Sequence, residues 1–159
     1  MRNQFFTLII LILGLFNYSF VNTNSEQNPI ECKSLDIGCL QIGGENSGEL
    51  IIRTNEEYQR LLLRRSPHSD CGNYELPLID FNNHILIGYI KGFKGCKEPI
   101  ANHTISEVNG TIQFNVEVEE LGACKRLNWV TIWCMVNKTE ENPTVSFKET
   151  ITTNVNYKN

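Results

Sequence analysis

All six cysteines of this chain follow an apolar leader, and this combination constrains the fold more than any other feature. Arg2 precedes an uncharged run that extends over residues 5–16, and polar residues follow it. A positive start, an apolar stretch of about 7–15 residues and a polar exit are typical of a secretory signal peptide. We therefore assign residues 1–24 to a signal peptide and expect a protein that is secreted or resides in the periplasm or cell envelope.

An even number of cysteines in a short exported chain predicts a disulfide framework. Spacing alone does not determine which cysteines pair. Two of them each follow a predicted strand and lie in a glycine-bearing loop, which favours a Cys96–Cys124 bridge. Cys32–Cys39 is then the local pair, and Cys71–Cys134 is the third. The full set is Cys32, Cys39, Cys71, Cys96, Cys124 and Cys134.

The length and charge of the chain restrict the classes of partner. The 159 residues carry a formal net charge of −4. Removal of the leader takes away Arg2 and no acidic residue, so the net charge becomes more negative. A nucleic-acid partner would require a basic face, so we expect none. No second long apolar run exists, so we expect no membrane span after leader removal. The length that remains after the leader is that of a single domain.

The organisation along the chain predicts a lead-in, one helix and then a series of strands. Residues 25–40 form a flexible lead-in that contains the Cys32–Cys39 loop, and residues 41–155 form a single β-rich domain. Thr54 and Glu57 have the spacing of a capping box at the start of a helix. The helix stops before Pro67, because a residue that precedes proline avoids the helical region.

The residues downstream of Pro67 have the patterns of β-strands. Residues 84–90 are almost continuously apolar, as in a strand that is covered on both faces. Asn109-Gly110 separates two alternating segments and predicts a hairpin. Further strands are expected at residues 127–136 and from Val145 onward. The fold class is therefore α+β, a mainly antiparallel β-sheet with one N-terminal helix, braced by disulfides.

No residue pattern indicates catalysis, a metal or a cofactor. Ser66, His68 and Asp70 lie close together, but residues of these types beside a proline are more simply turn formers. The cysteines contain no CxxC spacing of the kind that zinc sites and redox enzymes use. Trp129 and Trp133 share one face of a strand, which is the arrangement of an aromatic platform for a carbohydrate or peptide, but aromatic residues at strand spacing more often belong to the core. We expect no catalytic residues, no metal ligands and no cofactor.

The order of several short segments along the chain resembles that of a known protein family. A glycine–serine turn at residues 44–48 precedes a strand that runs into a capped helix at 51–58. An Asp80-Phe81 step then leads into the strand at 85–90, and a late strand ends near Phe147. In this order the stretch from Gln41 to Phe147 resembles the C-terminal domain family of PrcB, a protease-complex subunit. The resemblance implies a non-catalytic role in protein association at the cell envelope.

We accordingly expect a secreted, non-enzymatic binding or accessory domain whose partner is a protein of unknown identity. The alternative is a protease inhibitor or a protease-complex partner that acts through the loop from Lys91 to Pro99. A glycine-rich loop fixed by a disulfide is suited to such docking. The candidate contact residues of this loop are Phe93, Lys94, Lys97 and Glu98.

Overall fold

The computed structural model describes residues 28–37, 47–62 and 77–156. The predicted signal peptide lies outside these residues. No helix among them is long and apolar enough to cross a membrane. The elements in chain order are β1 (Asn28–Pro29), β2 (Lys33–Ser34), β3 (Gly48–Ile52), α1 (Asn55–Leu62), β4 (His84–Lys94), β5 (Ile100–Val108), β6 (Thr111–Leu121), β7 (Leu127–Asn137) and β8 (Thr144–Asn154).

The strands divide into two four-stranded sheets. Sheet A has the order β1-β5-β6-β8, and sheet B has the order β2-β7-β4-β3. Every pairing is antiparallel except that of β6 with β8. Those two strands are parallel because β7 returns the chain through sheet B between them, so β8 enters sheet A in the direction of β6. The prediction of a mainly antiparallel β fold with one short helix is confirmed, but the strands form two sheets rather than one.

The main hydrophobic core lies between the two sheets. On β6 the even-numbered residues from Ile112 to Val118 are at most 2% exposed, whereas Glu117 on the opposite face is exposed. These side chains pack against Ile85 and Ile87 of β4. Burial of each such side chain stabilises the fold by about 1.5–3 kcal/mol before the loss of chain entropy is counted. The predicted alternation of apolar and polar residues in β6 is confirmed, and its apolar face forms part of the core between the two sheets.

The hairpin that joins β5 to β6 turns at Asn109-Gly110, as the sequence predicts. Both residues have positive φ, 51° for Asn109 and 76° for Gly110. A two-residue turn of this handedness matches the twist of the strands beside it. It therefore sets the register of β5 on β6.

A second, smaller core covers the outer face of sheet B. Helix α1 packs Tyr58 and Leu61 against Leu86 and Ile90 of β4 and against Trp133. Strand β4 consequently has buried residues on both faces, which explains its almost continuous apolar sequence. The helix is the one that the Thr54 capping box predicts. Thr54 Oγ1 accepts a hydrogen bond from the Glu57 amide at 3.2 Å, and Glu57 Oε2 accepts one from the Thr54 amide at 3.2 Å.

The segment from residue 28 to 37 connects the two sheets at their edges. Strand β1 pairs with β5 in sheet A, and β2 pairs with β7 in sheet B. Between them Cys32 forms a disulfide with Cys134 of β7. The predicted Cys32–Cys39 loop is therefore wrong, and residues 28–37 are part of the domain rather than a flexible lead-in. Sequence spacing favours a local pair, but β2 pairs with β7 with Ser34 opposite Cys134, and this pairing brings the preceding Cys32 close to Cys134.

The remaining cysteine predictions have different outcomes. The Cys96–Cys124 bridge is confirmed, with 28 residues of sequence separation. The predicted Cys71–Cys134 bridge is wrong, because Cys134 is bonded to Cys32. Cys39 and Cys71 lie outside the described residues. Within those residues, every cysteine takes part in a disulfide.

Candidate functional site

The predicted docking loop from Lys91 to Pro99 is shorter in the structure than the sequence indicates. Lys91, Phe93 and Lys94 belong to β4, which pairs with β7 up to Lys94 opposite Leu127. Phe93 is 4% exposed and lies in the core between the sheets, so it is not a contact residue of an exposed loop. Strand alternation gives the reason, because every second residue of β4 points into that core.

The rest of this loop is a turn that is fixed to its neighbour. The Gly95 amide donates to the Arg126 carbonyl at 3.0 Å, and the Asn128 side-chain amide donates to the Gly95 carbonyl at 3.2 Å. The Cys96–Cys124 disulfide joins the same two turns. Lys94, Lys97 and Glu98 remain at the surface. The turn thus closes one end of the sandwich.

A polar cleft lies at the opposite end of the sandwich. Its volume is about 510 Å³. It forms where β3 ends, where β4 begins and where β7 passes into β8. Two basic, two acidic, four hydroxyl or amide and two apolar residues line it: Arg53, Thr54, Asn55, Ile79, Asp80, Phe81, Asn82, Lys138, Glu141 and Asn142.

Two cations of this cleft are held in place by backbone carbonyls. The Arg53 guanidinium donates to the Pro143 carbonyl at 2.9 Å, and Lys138 Nζ donates to the Phe81 carbonyl at 2.7 Å. Ion pairs within 4.0 Å among the described residues join Arg60 to Glu56 and Lys91 to Glu149, and neither cleft cation takes part in one. Each cation keeps further donors, which are available to a ligand.

The Asp80 carboxylate organises the turn on the other wall of the cleft. It accepts hydrogen bonds from the Asn82 amide at 3.0 Å and from the Asn83 side chain at 2.7 Å. The hydrogen bond from the Asn82 backbone, followed by that from Asn83, lowers the pKa of Asp80 below its ordinary value of 3.8. Hydrogen bonds to the charged form favour that form. Asp80 is therefore an anion at neutral pH, and it shapes the wall that carries Ile79 and Phe81.

The cleft presents charges of both signs, amides and apolar side chains. Such a set recognises polar and charged groups through hydrogen bonds and charge, and specificity comes from where the donors point. Sequence reasoning missed this site, because Arg53 and Lys138 are 85 positions apart and neither lies in a motif. The only local signal is the Asp80-Phe81 step, which by sequence indicates no more than a structural step before β4.

A second polar cluster links the two sheets at the β8 edge. The Tyr89 hydroxyl donates to the Glu149 carboxylate, and Lys91 Nζ lies 2.6 Å from Glu149 Oε2. Burial raises the pKa of Glu149, but hydrogen bonds from Lys91 and Tyr89 and the Lys91 charge outweigh it, so the net pKa lies below 4.5. Burial, then the hydrogen bond to Glu149, raises the pKa of Tyr89 well above 10. This cluster is a structural link between the sheets.

The tryptophan and histidine side chains outside these clusters fall into separate places. Trp133 is 3% exposed beneath helix α1, whereas Trp129 is 38% exposed, so the two do not form one aromatic platform. His84 Nδ1 lies 3.1 Å from the Asp80 carbonyl. His103 lies beside the Cys32–Cys134 disulfide. The Ser66, His68 and Asp70 group lies outside the described residues.

Comparison with known proteins adds no assignment. No protein-family model, no curated protein and no solved structure matches this chain. The resemblance to the PrcB C-terminal domain family therefore stays a prediction.

Proposed function

We propose that this protein is an extracytoplasmic, non-enzymatic binding domain that associates with another protein of the cell envelope. The observation that carries the proposal is the cleft at the Asp80 end of the sandwich. It holds Arg53 and Lys138, which lie in no ion pair with a described carboxylate, opposite Asp80. An extended segment of a partner protein offers the carbonyl and carboxylate acceptors that these cations bind.

Several features support a binding role in an oxidising compartment. Two disulfides tie the described part of the chain together, and such bonds persist in secreted or periplasmic proteins. A rigid two-sheet scaffold with loops collected at its ends is a common support for recognition sites. The leader-like residues 1–24 and the resemblance to the PrcB family favour the same location and role.

The protease-inhibitor alternative has less support. Phe93 is buried, and residues 91–94 are held in β4 by pairing with β7, so the free part of the loop is shorter than the proposed docking loop. The Gly95–Cys96 turn is bonded to the Leu121–Arg126 turn through the Cys96 amide and the Leu121 carbonyl. An inhibitory loop needs to project into the cleft of a protease, whereas this turn is bonded along its base.

The test is site-specific photo-crosslinking in the producing cell. A photoreactive residue replaces Asn142, which lines the cleft, and in a matched control it replaces Lys148, which is exposed on β8. We expect one adduct of defined mass from position 142 and none of that mass from position 148. The charge reversal Lys138→Glu should abolish the adduct, whereas Arg60→Glu on the exposed face of helix α1 should not.

The thermal melting temperature of each variant separates loss of contact from loss of fold. An adduct that persists in a folded Lys138→Glu variant, or that forms equally at both positions, would refute the assignment of the cleft. Absence of any adduct at position 142 would refute it as well.

A further inference from the structure

We infer that Cys32, His103 and Cys134 form a redox-gated zinc site: a disulfide when oxidised, and a two-thiolate, one-imidazole ligand set when reduced. The inference is independent of the proposed binding function. The site lies near the β1 edge of sheet A, and β8 forms the other edge of that sheet. One ligand atom of each residue lies within 4.8 Å of the other two. Among the described residues no other group of histidine, cysteine and acidic residues meets this condition.

The position of His103 is the first support. Strand β5 directs His103 to the same side as Ile105, which lies in the core between the sheets. A ring contact with Phe114, with the centroids 5.5 Å apart, orients the imidazole. Its Nε2 lies 3.5 Å from Cys32 Sγ, which is its hydrogen-bond partner among the described residues. A polar ring at a core-facing position, aimed at a sulfur, is what a soft metal site requires.

The geometry of the three atoms is the second support. A tetrahedral zinc ion with bonds of about 2.3 Å to sulfur and about 2.0–2.1 Å to nitrogen separates a sulfur and a nitrogen ligand by about 3.5 Å. The Cys32 Sγ to His103 Nε2 distance already has this value. Two sulfur ligands would be about 3.8 Å apart, so the two cysteine sulfurs have to separate once the disulfide is reduced, while Cys134 Sγ already lies within 4.8 Å of the His103 ligand atom.

The edge position makes this separation feasible. Cys134 is fully buried in β7, whereas Cys32 and His103 are half-buried. Cys32 lies between the two-residue strands β1 and β2, so it can move further than Cys134, which β4 and β2 flank. The half-exposed side of the cluster leaves room for water as the fourth ligand.

The redox step balances with a dithiol reductant. A thiolate of the reductant attacks the half-exposed Cys32 Sγ, the S–S bond breaks and Cys134 leaves as a thiolate that takes up a proton. The second thiol of the reductant then releases Cys32 and closes the disulfide of the reductant. Two electrons and two protons have moved to the protein. Zinc binding displaces the two thiol protons, and neutral His103 supplies the Nε2 lone pair.

The test compares zinc binding before and after reduction of the purified protein. The protein is treated with dithiothreitol and desalted without oxygen, and zinc affinity is measured by competition with a chromophoric chelator. We expect one high-affinity zinc ion per reduced chain and none per oxidised chain. His103→Ala should weaken the affinity by more than about tenfold, because even the loss of an outer-shell partner costs that much.

Matched variants separate this site from the other thiols. Cys32→Ser with Cys134→Ser should abolish the high-affinity site, whereas Cys96→Ser with Cys124→Ser should retain it. Cobalt substitution should give a thiolate-to-cobalt charge-transfer band that His103→Ala changes. Circular dichroism follows the fold, and zinc should restore the β signal if reduction alone reduces it. Equal affinity in the reduced wild type and His103→Ala, or failure of zinc to bind or restore the fold, would overturn the inference.

Discussion

The indole ring of Trp133 lies directly against the backbone of Gly88 on the neighbouring strand. The two residues are opposite each other in the β4–β7 register. A Cβ atom on Gly88 would lie 2.2 Å from Trp133 Cζ3, which no real contact allows. Glycine at position 88 therefore permits a large aromatic ring to lie flat on sheet B beneath helix α1.

We expect Gly88→Ala to destabilise the fold by about 1–3 kcal/mol, because the added methyl group overpacks a filled site. The matched control is Gly92→Ala on the same strand. Its Cβ would lie 2.9 Å from Leu127 Cδ1, the end of a flexible and exposed side chain that can move. The melting temperature of Gly88→Ala should be clearly lower than that of Gly92→Ala. Equal melting temperatures would contradict the packing of Trp133 against Gly88.

The two disulfides should contribute unequally to stability. In the chain-entropy account, the stabilisation grows with the length of the closed loop. The Cys32–Cys134 separation of 102 residues corresponds to about 4.7 kcal/mol, and the Cys96–Cys124 separation of 28 corresponds to about 3.6 kcal/mol. Melting of the two double alanine variants should show the larger loss for Cys32 with Cys134. The reverse order would show that local closure of the turns matters more than loop length.

Acid should weaken the link between Glu149 and its partners in sheet B. The folded-state pKa of Glu149 lies below its ordinary value of 4.5. The stabilisation is therefore present above pH 4.5 and is lost as the pH falls through the folded-state pKa. Glu149→Gln should reduce the loss of melting temperature between pH 6 and pH 3. Lys148→Gln, at the adjacent exposed position, should leave that loss unchanged.

Alkali should act on the other end of the same link. The folded-state pKa of Tyr89 lies above its ordinary value of 10. Folding thus disfavours the phenolate, so this stabilisation is present below pH 10 and declines as the pH rises above it. Tyr89→Phe should flatten the decline of melting temperature between pH 9 and pH 11. A decline equal to that of the wild type would show that Tyr89 does not ionise with unfolding.

The capping box predicts a modest and specific effect on helix α1. Thr54→Ala removes the acceptor of the Glu57 amide and should cost about 1 kcal/mol. Thr54→Ser keeps the hydroxyl and should retain most of the stability. Because Tyr58 and Leu61 belong to the core beneath the helix, the loss should appear in the global denaturant midpoint. A change confined to local amide exchange would contradict this coupling.

Local patterns predicted the elements well, because each depends on a few neighbouring residues. The Asn109-Gly110 turn, the alternation of β6 and the Thr54–Glu57 capping box all have short-range causes. The division into two sheets depends on the chain leaving sheet A after β6 and entering sheet B as β7, which no local periodicity indicates. The Cys32–Cys134 bond depends on the same long-range register. Proximity along the chain favours Cys39 as the partner of Cys32, and no short-range pattern indicates Cys134.

The candidate cleft was not predictable for a related reason. Arg53 ends β3 and Lys138 follows β7, and both are ordinary surface residues by sequence. They approach the Asp80 turn only because β4 lies between β3 and β7 in sheet B. His103 similarly gained its sulfur neighbour from the pairing of β1 with β5.

The bridging of both sheets by residues 28–37 determines when the fold can be completed. This segment leaves the ribosome first among the described residues, yet its partner Cys134 follows 102 residues later. Until β7 has paired with β4, the Cys32 thiol has no native partner and β2 has no strand with which to pair. Such long-range closure slows folding. Oxidation of Cys32 is therefore a late event, and an oxidant that acts too early would join it to a cysteine that precedes Cys134.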